Sequence, residues 1–130
     1  MIFNTALIAF ASVFAIAANA APVSLEQRGF SGDGTFYNPS AGTGSCGWEN
    51  SDSELVAALN APQMANGANP NKNPKCGDRI RVKGPKGSVT VKIVDTCPPC
   101  QSGSVDLSPA AFNKIADFAQ GRVPISWNWV

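Results

Sequence analysis

Histidine is absent from the whole 130-residue chain. The four cysteines include only one closely spaced pair, Cys97 and Cys100, so the ligand set of a zinc site is missing and no metal is expected. Charge is missing from the N-terminus, where no Asp, Glu, Lys or Arg precedes Glu26. Long hydrophobic runs are missing too. The apolar stretch over residues 6–18 is shorter than the roughly 18 residues that a membrane anchor needs. It ends in Ala18-Asn19-Ala20, the small-x-small pattern that signal peptidase cleaves. Residues 1–20 therefore read as a secretory signal, although its start carries no Lys or Arg, and no membrane attachment is expected after cleavage. There is no internal repeat, and nothing calls for an organic cofactor.

Residues 21–28 are short and polar and end in Arg28 before Gly29. They read either as a pro-segment removed at a basic site or as a disordered tail. Residues 29–130 are the length of one domain. So small a domain buries a limited core, and four cysteines in an exported chain point to two disulfides. Three pairings are open. The expectation is Cys46–Cys76, closing a long loop, with Cys97–Cys100 as a local clip. A redox role for Cys97-Pro98-Pro99-Cys100 is disfavoured, because that chemistry wants a helix after the first cysteine and two prolines stand there.

Charge is nearly balanced, with 10 basic and 9 acidic residues. It is unevenly spread, because seven of the ten basic residues lie between Lys72 and Lys92, opposed only by Asp78. That run reads first as a solvated strand face and second as a surface for an acidic partner. Export and low net charge disfavour nucleic acid. No oligomerisation signal is visible, and a monomer is expected.

Most of the chain alternates as strands do. Ile80 and Val82 sit between Arg79, Arg81 and Lys83; Gly84-Pro85-Lys86-Gly87 turns the chain; Val89, Val91 and Ile93 then share a face. Val123, Ile125, Trp127 and Trp129 alternate with polar residues, and at least one of the two tryptophans is expected in the core. Two short helices are expected. Ser51-Asp52-Ser53-Glu54 is a capping box followed by Leu55, Val56, Ala58 and Leu59, stopped at Asn60-Ala61-Pro62. Ser108 caps the second, with Pro109 in its first turn, a Leu107–Phe112 staple, and Phe112, Ile115 and Ala116 as the buried stripe. Residues 66–75 read as a surface loop tied down by Cys76. The sum is a compact, mainly β barrel.

Two carboxylates stand at element ends. Asp95 continues the odd-numbered face of Val89, Val91 and Ile93, which would aim it at the barrel interior or mouth. Asp106 lies two residues before the cap of the second helix, near its positive end. Each also fits a plain turn residue that bonds backbone amides.

Gly34-Thr35-Phe36-Tyr37, Cys46-Gly47, Cys76-Gly77, Val94-Asp95-Thr96-Cys97-Pro98, Val105 through Phe112 and Val123-Pro124-Ile125 occur in this order. In that order they resemble the catalytic-like domain of expansins, above all the small single-domain fungal loosenins. Similar barrels occur in barwin, rare lipoprotein A, a papain inhibitor and an inverting endoglucanase family. The resemblance covers residues 30–130. It implies a six-stranded double-psi β-barrel, extracellular, with a groove lined by Thr35, Tyr37, Asp95, Asp106 and an exposed Trp48. Asp106 matches the general acid of the related endoglucanases.

The departures from that pattern matter. Inverting hydrolysis needs a base about 6.5–9.5 Å from the acid. The endoglucanases carry it just after the first-strand tyrosine, where this chain has Asn38 and Pro39. Asp33 is nearby but on the other side of the motif. The histidine-dependent lytic chemistry of rare lipoprotein A relatives also lacks a carrier. The resemblance therefore implies a non-enzymatic protein that binds and loosens cellulose or chitin. The alternative is a secreted inhibitor of a cysteine protease, with loops such as residues 66–75 making the contacts. Weak glycoside hydrolase or lytic activity is the third reading.

Overall fold

Six strands close on themselves in the order β1-β5-β2-β4-β3-β6 in the computed structural model, which describes residues 29–130. The expected signal over residues 1–20 and the segment 21–28 lie outside the described residues. The strands are β1 Phe30–Phe36, β2 Val56–Asn60, β3 Arg79–Lys83, β4 Ser88–Cys97, β5 Val105–Leu107 and β6 Val123–Trp129. The pairs β1–β5 and β2–β4 are parallel, and the other four are antiparallel. Two short α-helices are inserted, α1 Ala61–Met64 and α2 Pro109–Ile115. No helix among the described residues is long and apolar enough to cross a membrane.

The β3–β4 hairpin follows its alternation. Ile80 and Val82 are fully buried while Arg79, Arg81 and Lys83 are exposed. The turn closes with Gly84 N–H donating to Gly87 O at 2.9 Å. Val89, Val91 and Ile93 enter the same core, together with Leu107, Phe112 and Trp127. Each such side chain contributes about 1.5–3 kcal/mol through removal of apolar surface from water.

Helix α2 also forms where its cap chemistry points. Ser108 Oγ accepts from Ala111 N–H at 3.2 Å and donates to Glu54 O at 2.6 Å. Phe112, Ile115 and Ala116 are fully buried, and Leu107 joins them in the core.

The expected helix after Ser51-Asp52-Ser53-Glu54 is not formed. Val56–Asn60 is instead strand β2, buried at all five positions. The Glu54 carboxylate still accepts from Ser51 N–H at 2.7 Å, and Glu54 N–H donates to Ser51 O at 3.2 Å. The motif therefore closes a single turn. The reason is tertiary: β2 lies between β4 and β5, so both of its backbone edges are hydrogen-bonded and both of its faces are covered. A one-sided helix offers no such burial. The short helix begins where the expected one was to end: Asn60 Oδ1 accepts from Gln63 N–H and caps α1.

Two disulfides join Cys46 to Cys76 and Cys97 to Cys100. Trp127 is buried and its indole N–H donates to Gly103 O at 2.9 Å, whereas Trp129 is exposed. Gly103, at φ +91°, lies so close to β1 that a Cβ would fall 2.0 Å from Ser31 O. Only glycine fits there. This contact lets the chain before β5 pass tightly against β1.

Candidate functional site

One row of residues crosses four strands. Thr35 on β1 is paired with Asp106 on β5, Asp106 with Ala58 on β2, and Ala58 with Asp95 on β4. In-register partners share a face of the sheet. Ala57 and Leu59, on either side of Ala58, belong to the core, so this row faces outward.

The placement corrects the expected direction of Asp95, which does not continue the interior face of Val89, Val91 and Ile93. The register shifts between Ala57, paired with Ile93, and Ala58, paired with Asp95, leaving Val94 as an extra residue. One inserted residue reverses the alternation that follows it, so Asp95 turns to the outer face. Neighbouring loops occupy the polar groups that the bulge frees. Cys46 N–H donates to Val94 O at 3.3 Å, Gly77 N–H to Ile93 O at 2.8 Å, and Ile93 N–H to Asp78 O at 2.8 Å. The Cys46–Cys76 disulfide holds those two loops together.

Asp95 is tied down by backbone donors, as its Oδ1 accepts from Ser45 N–H at 2.8 Å and from Thr96 N–H at 2.7 Å. Gly44 lies against it, with room for no side chain: a Cβ would meet Val94 O at 2.6 Å. Asp106 is held differently. It is half-buried, and its Oδ1 accepts from Thr35 Oγ1 at 2.8 Å. Loss of hydration raises its pKa above the ordinary carboxylate value; the Thr35 hydrogen bond and the Arg122 charge oppose this, and Asp95 adds a small further rise.

Tyr37 follows β1, with its N–H bonded to Leu107 O at 2.9 Å. Its phenol is pushed far above the ordinary tyrosine value, first by burial and then by the charges of Asp95 and Asp106. It is therefore a protonated donor near both acids. Its hydroxyl oxygen is shielded from solvent and has no hydrogen-bond partner among the described residues. An isolated hydroxyl of this kind costs about 1–3 kcal/mol unless a partner arrives.

Beside Asp106 opens a cleft of about 450 Å³, lined by Asp33, Thr35, Asp106, Arg122, Pro99 and Cys100 among others. Arg122 Nη1 donates to Asp33 Oδ2 at 3.1 Å across its rim. Sequence reasoning missed Arg122 as a site residue, and no local signal marks it, since its partner lies 89 positions away. Trp48 is 42% exposed and stands with the Lys92 ammonium 5.3 Å from its ring centroid. Lys92 pairs with Val56, which shares the outer face with Ala58, so Trp48 flanks the row at its β4 end. Near Asn38 and Pro39 the fold supplies a carboxylate that the linear motif lacks. Asp52 accepts from Asn38 Nδ2 at 3.1 Å and from Ser40 N–H at 3.0 Å, and these bonds hold its pKa below the ordinary value.

The closed strand order with two parallel pairs, bearing an acidic row on one wall, defines a double-psi β-barrel. Residues 30–127 match the DPBB_1 family, described as lytic transglycolase, and the chain belongs to this barwin-like family. An EG45-like domain containing protein of Citrus jambhiri is 36% identical over 103 residues, covering 75% of this chain and 79% of the relative. The solved structure of a Streptomyces papain inhibitor superposes with a TM-score of 0.73 at 33% identity, covering 80% of this chain and 96% of the inhibitor. A mutant Clavibacter michiganensis expansin in complex with cellohexaose superposes with a TM-score of 0.66 at 32% identity. That match covers 78% of this chain but only 50% of the expansin.

Proposed function

We propose that this protein is secreted, binds a cell-wall polysaccharide against the partly exposed Thr35, Asp106 and Asp95, and loosens its packing without cutting it. The two acids carry the reading: Asp95 and Asp106 stay partly exposed on one outer wall, each held by fixed donors, and a cleft opens beside Asp106. A sugar hydroxyl would donate to either carboxylate. Each sugar hydroxyl held this way is withdrawn from its bonds to neighbouring glycan chains. Trp48 offers an apolar face for a sugar ring at one end of the row. The cellohexaose bound by the related expansin supports a glycan of the cellulose or chitin type.

Hydrolysis is less well supported. Asp106, with raised proton affinity, suits an acid, but a base must also activate water. Asp52 is the acid nearest the expected base position. Its donors stabilise the charged form and make it a poor proton acceptor. Among the described residues Asp106 thus lacks the partner base that cleavage would require.

Depletion of the protein by insoluble cellulose and chitin tests the proposal, with saturable loss to one of them expected. Asp106→Asn should then abolish loosening while preserving the fold, and neither form should release new reducing ends. No loss to either polymer would overturn the proposal. A second reading, inhibition of a cysteine protease, is favoured by the near-complete coverage of the papain inhibitor. Stoichiometric inhibition of papain that survives Asp106→Asn would move it to first place.

A further inference from the structure

The outer face of β3 presents Arg79, Arg81 and Lys83, all exposed. Alternate residues on a strand stand about 6.8 Å apart, so the three cations form a line of about 14 Å. None of their registered partners on β4 and β6 is acidic. Arg79 faces Lys92; Arg81 lies between Thr90 and Asn128; Lys83 lies between Ser88 and Ser126. The ion pairs among the described residues are Lys86–Asp117 and Arg122–Asp33, and neither involves this line. Charged residues often protect an open sheet edge. That role is absent here, because β3 is hydrogen-bonded to β4 on one side and β6 on the other.

We infer that this strip docks a carboxylated polysaccharide, a polyuronate, independently of the acidic row. In the closed strand order β3 lies diametrically across the barrel from β5, which carries Asp106. The near-zero net charge thus hides two walls of opposite sign, and a polyanion is drawn to only one of them. Arginine forks match the two oxygens of a planar carboxylate. The hydroxyls and amide of Ser88, Thr90, Ser126 and Asn128 flank Arg81 and Lys83 in register on both sides, where they can bond the sugar hydroxyls beside a bound carboxylate. The registered neighbours of Arg81 and Lys83 are Thr90, Asn128, Ser88 and Ser126, none of them an aromatic ring on which nucleic acid bases would stack; the exposed Trp48 lies only at the Arg79 end, beside Lys92.

The test is binding of the purified protein to immobilised polygalacturonate and to its fully methyl-esterified form, across a salt series. Binding to the charged polymer alone is expected, weakening about tenfold between 50 and 200 mM salt as released counterions are replaced. The triple variant Arg79→Gln, Arg81→Gln, Lys83→Gln should lose about tenfold or more. A charge-matched variant elsewhere, Lys72→Gln, Lys75→Gln, Lys114→Gln, should keep its affinity. Equal binding to the esterified polymer, equal loss in both triple variants, or binding to DNA but not to polygalacturonate would each overturn the inference. The salt and esterification arms use the unaltered protein, so they stand even if a variant fails to fold.

Discussion

Thr35 Oγ1 donates a 2.8 Å hydrogen bond to Asp106 Oδ1 between residues 71 positions apart in sequence. The two strands run parallel, and the register that pairs Thr35 with Asp106 also pairs Gly34 with Val105 in the core. A slip of one residue would bury the acid and expose the valine. Core packing therefore positions the carboxylate.

Replacing Thr35 with Val removes this bond at nearly constant volume. Stability should fall by about 1 kcal/mol, read from denaturant midpoints. The bond lowers the Asp106 pKa, so its loss should raise that value further, as NMR titration of the carboxyl carbon would show.

Asp106 also gives stability a distinctive pH dependence. Its folded pKa lies above its unfolded value, so its contribution is most favourable in acid and is lost as pH rises through the folded pKa. Asp106→Asn should remove that loss. Melting temperatures of the two proteins, compared from pH 3 to 8, should show the variant gaining on the wild type as pH rises. Asp52 and Glu54, whose values are lowered, act in the opposite sense but cancel in this comparison.

Asp95→Ala separates structural from binding roles. It leaves the Ser45 and Thr96 amides without their carboxylate, which should cost about 1–3 kcal/mol. Faster amide exchange at those two residues, before any global change in exchange, is the expected signature. Unaltered exchange would show that the carboxylate does not hold the loop.

The two disulfides should differ in weight. Removing Cys46–Cys76, with its separation of 30 residues, should cost about 3–4 kcal/mol by loop entropy. Removing Cys97–Cys100, with a separation of 3, should cost less and act mainly on the cleft beside Asp106. Paired Cys→Ser variants in chemical denaturation would measure both.

Gly103→Ala should be far more damaging than its size implies. A Cβ 2.0 Å from Ser31 O, at positive φ, has no local relief. A loss of about 3 kcal/mol or more, or failure to fold, is expected in expression and melting assays.

The chain by itself determined its local devices. Alternation in Arg79–Lys83 and over Val89, Val91 and Ile93 gave the hairpin, and Ser108 with Pro109 gave the start of α2, because both depend on neighbours a few residues away. The order of short motifs gave the barrel family and named Thr35, Tyr37, Asp95 and Asp106. Tertiary structure decided the rest. It made a strand of Val56–Asn60, despite a capping box before it, because pairing on both edges outweighs a local turn. It turned Asp95 outward through the extra residue Val94, since a bulge exists only relative to the strand beside it. It brought Arg122 to Asp33 and Asp52 to Asn38 through contacts that no local pattern encodes.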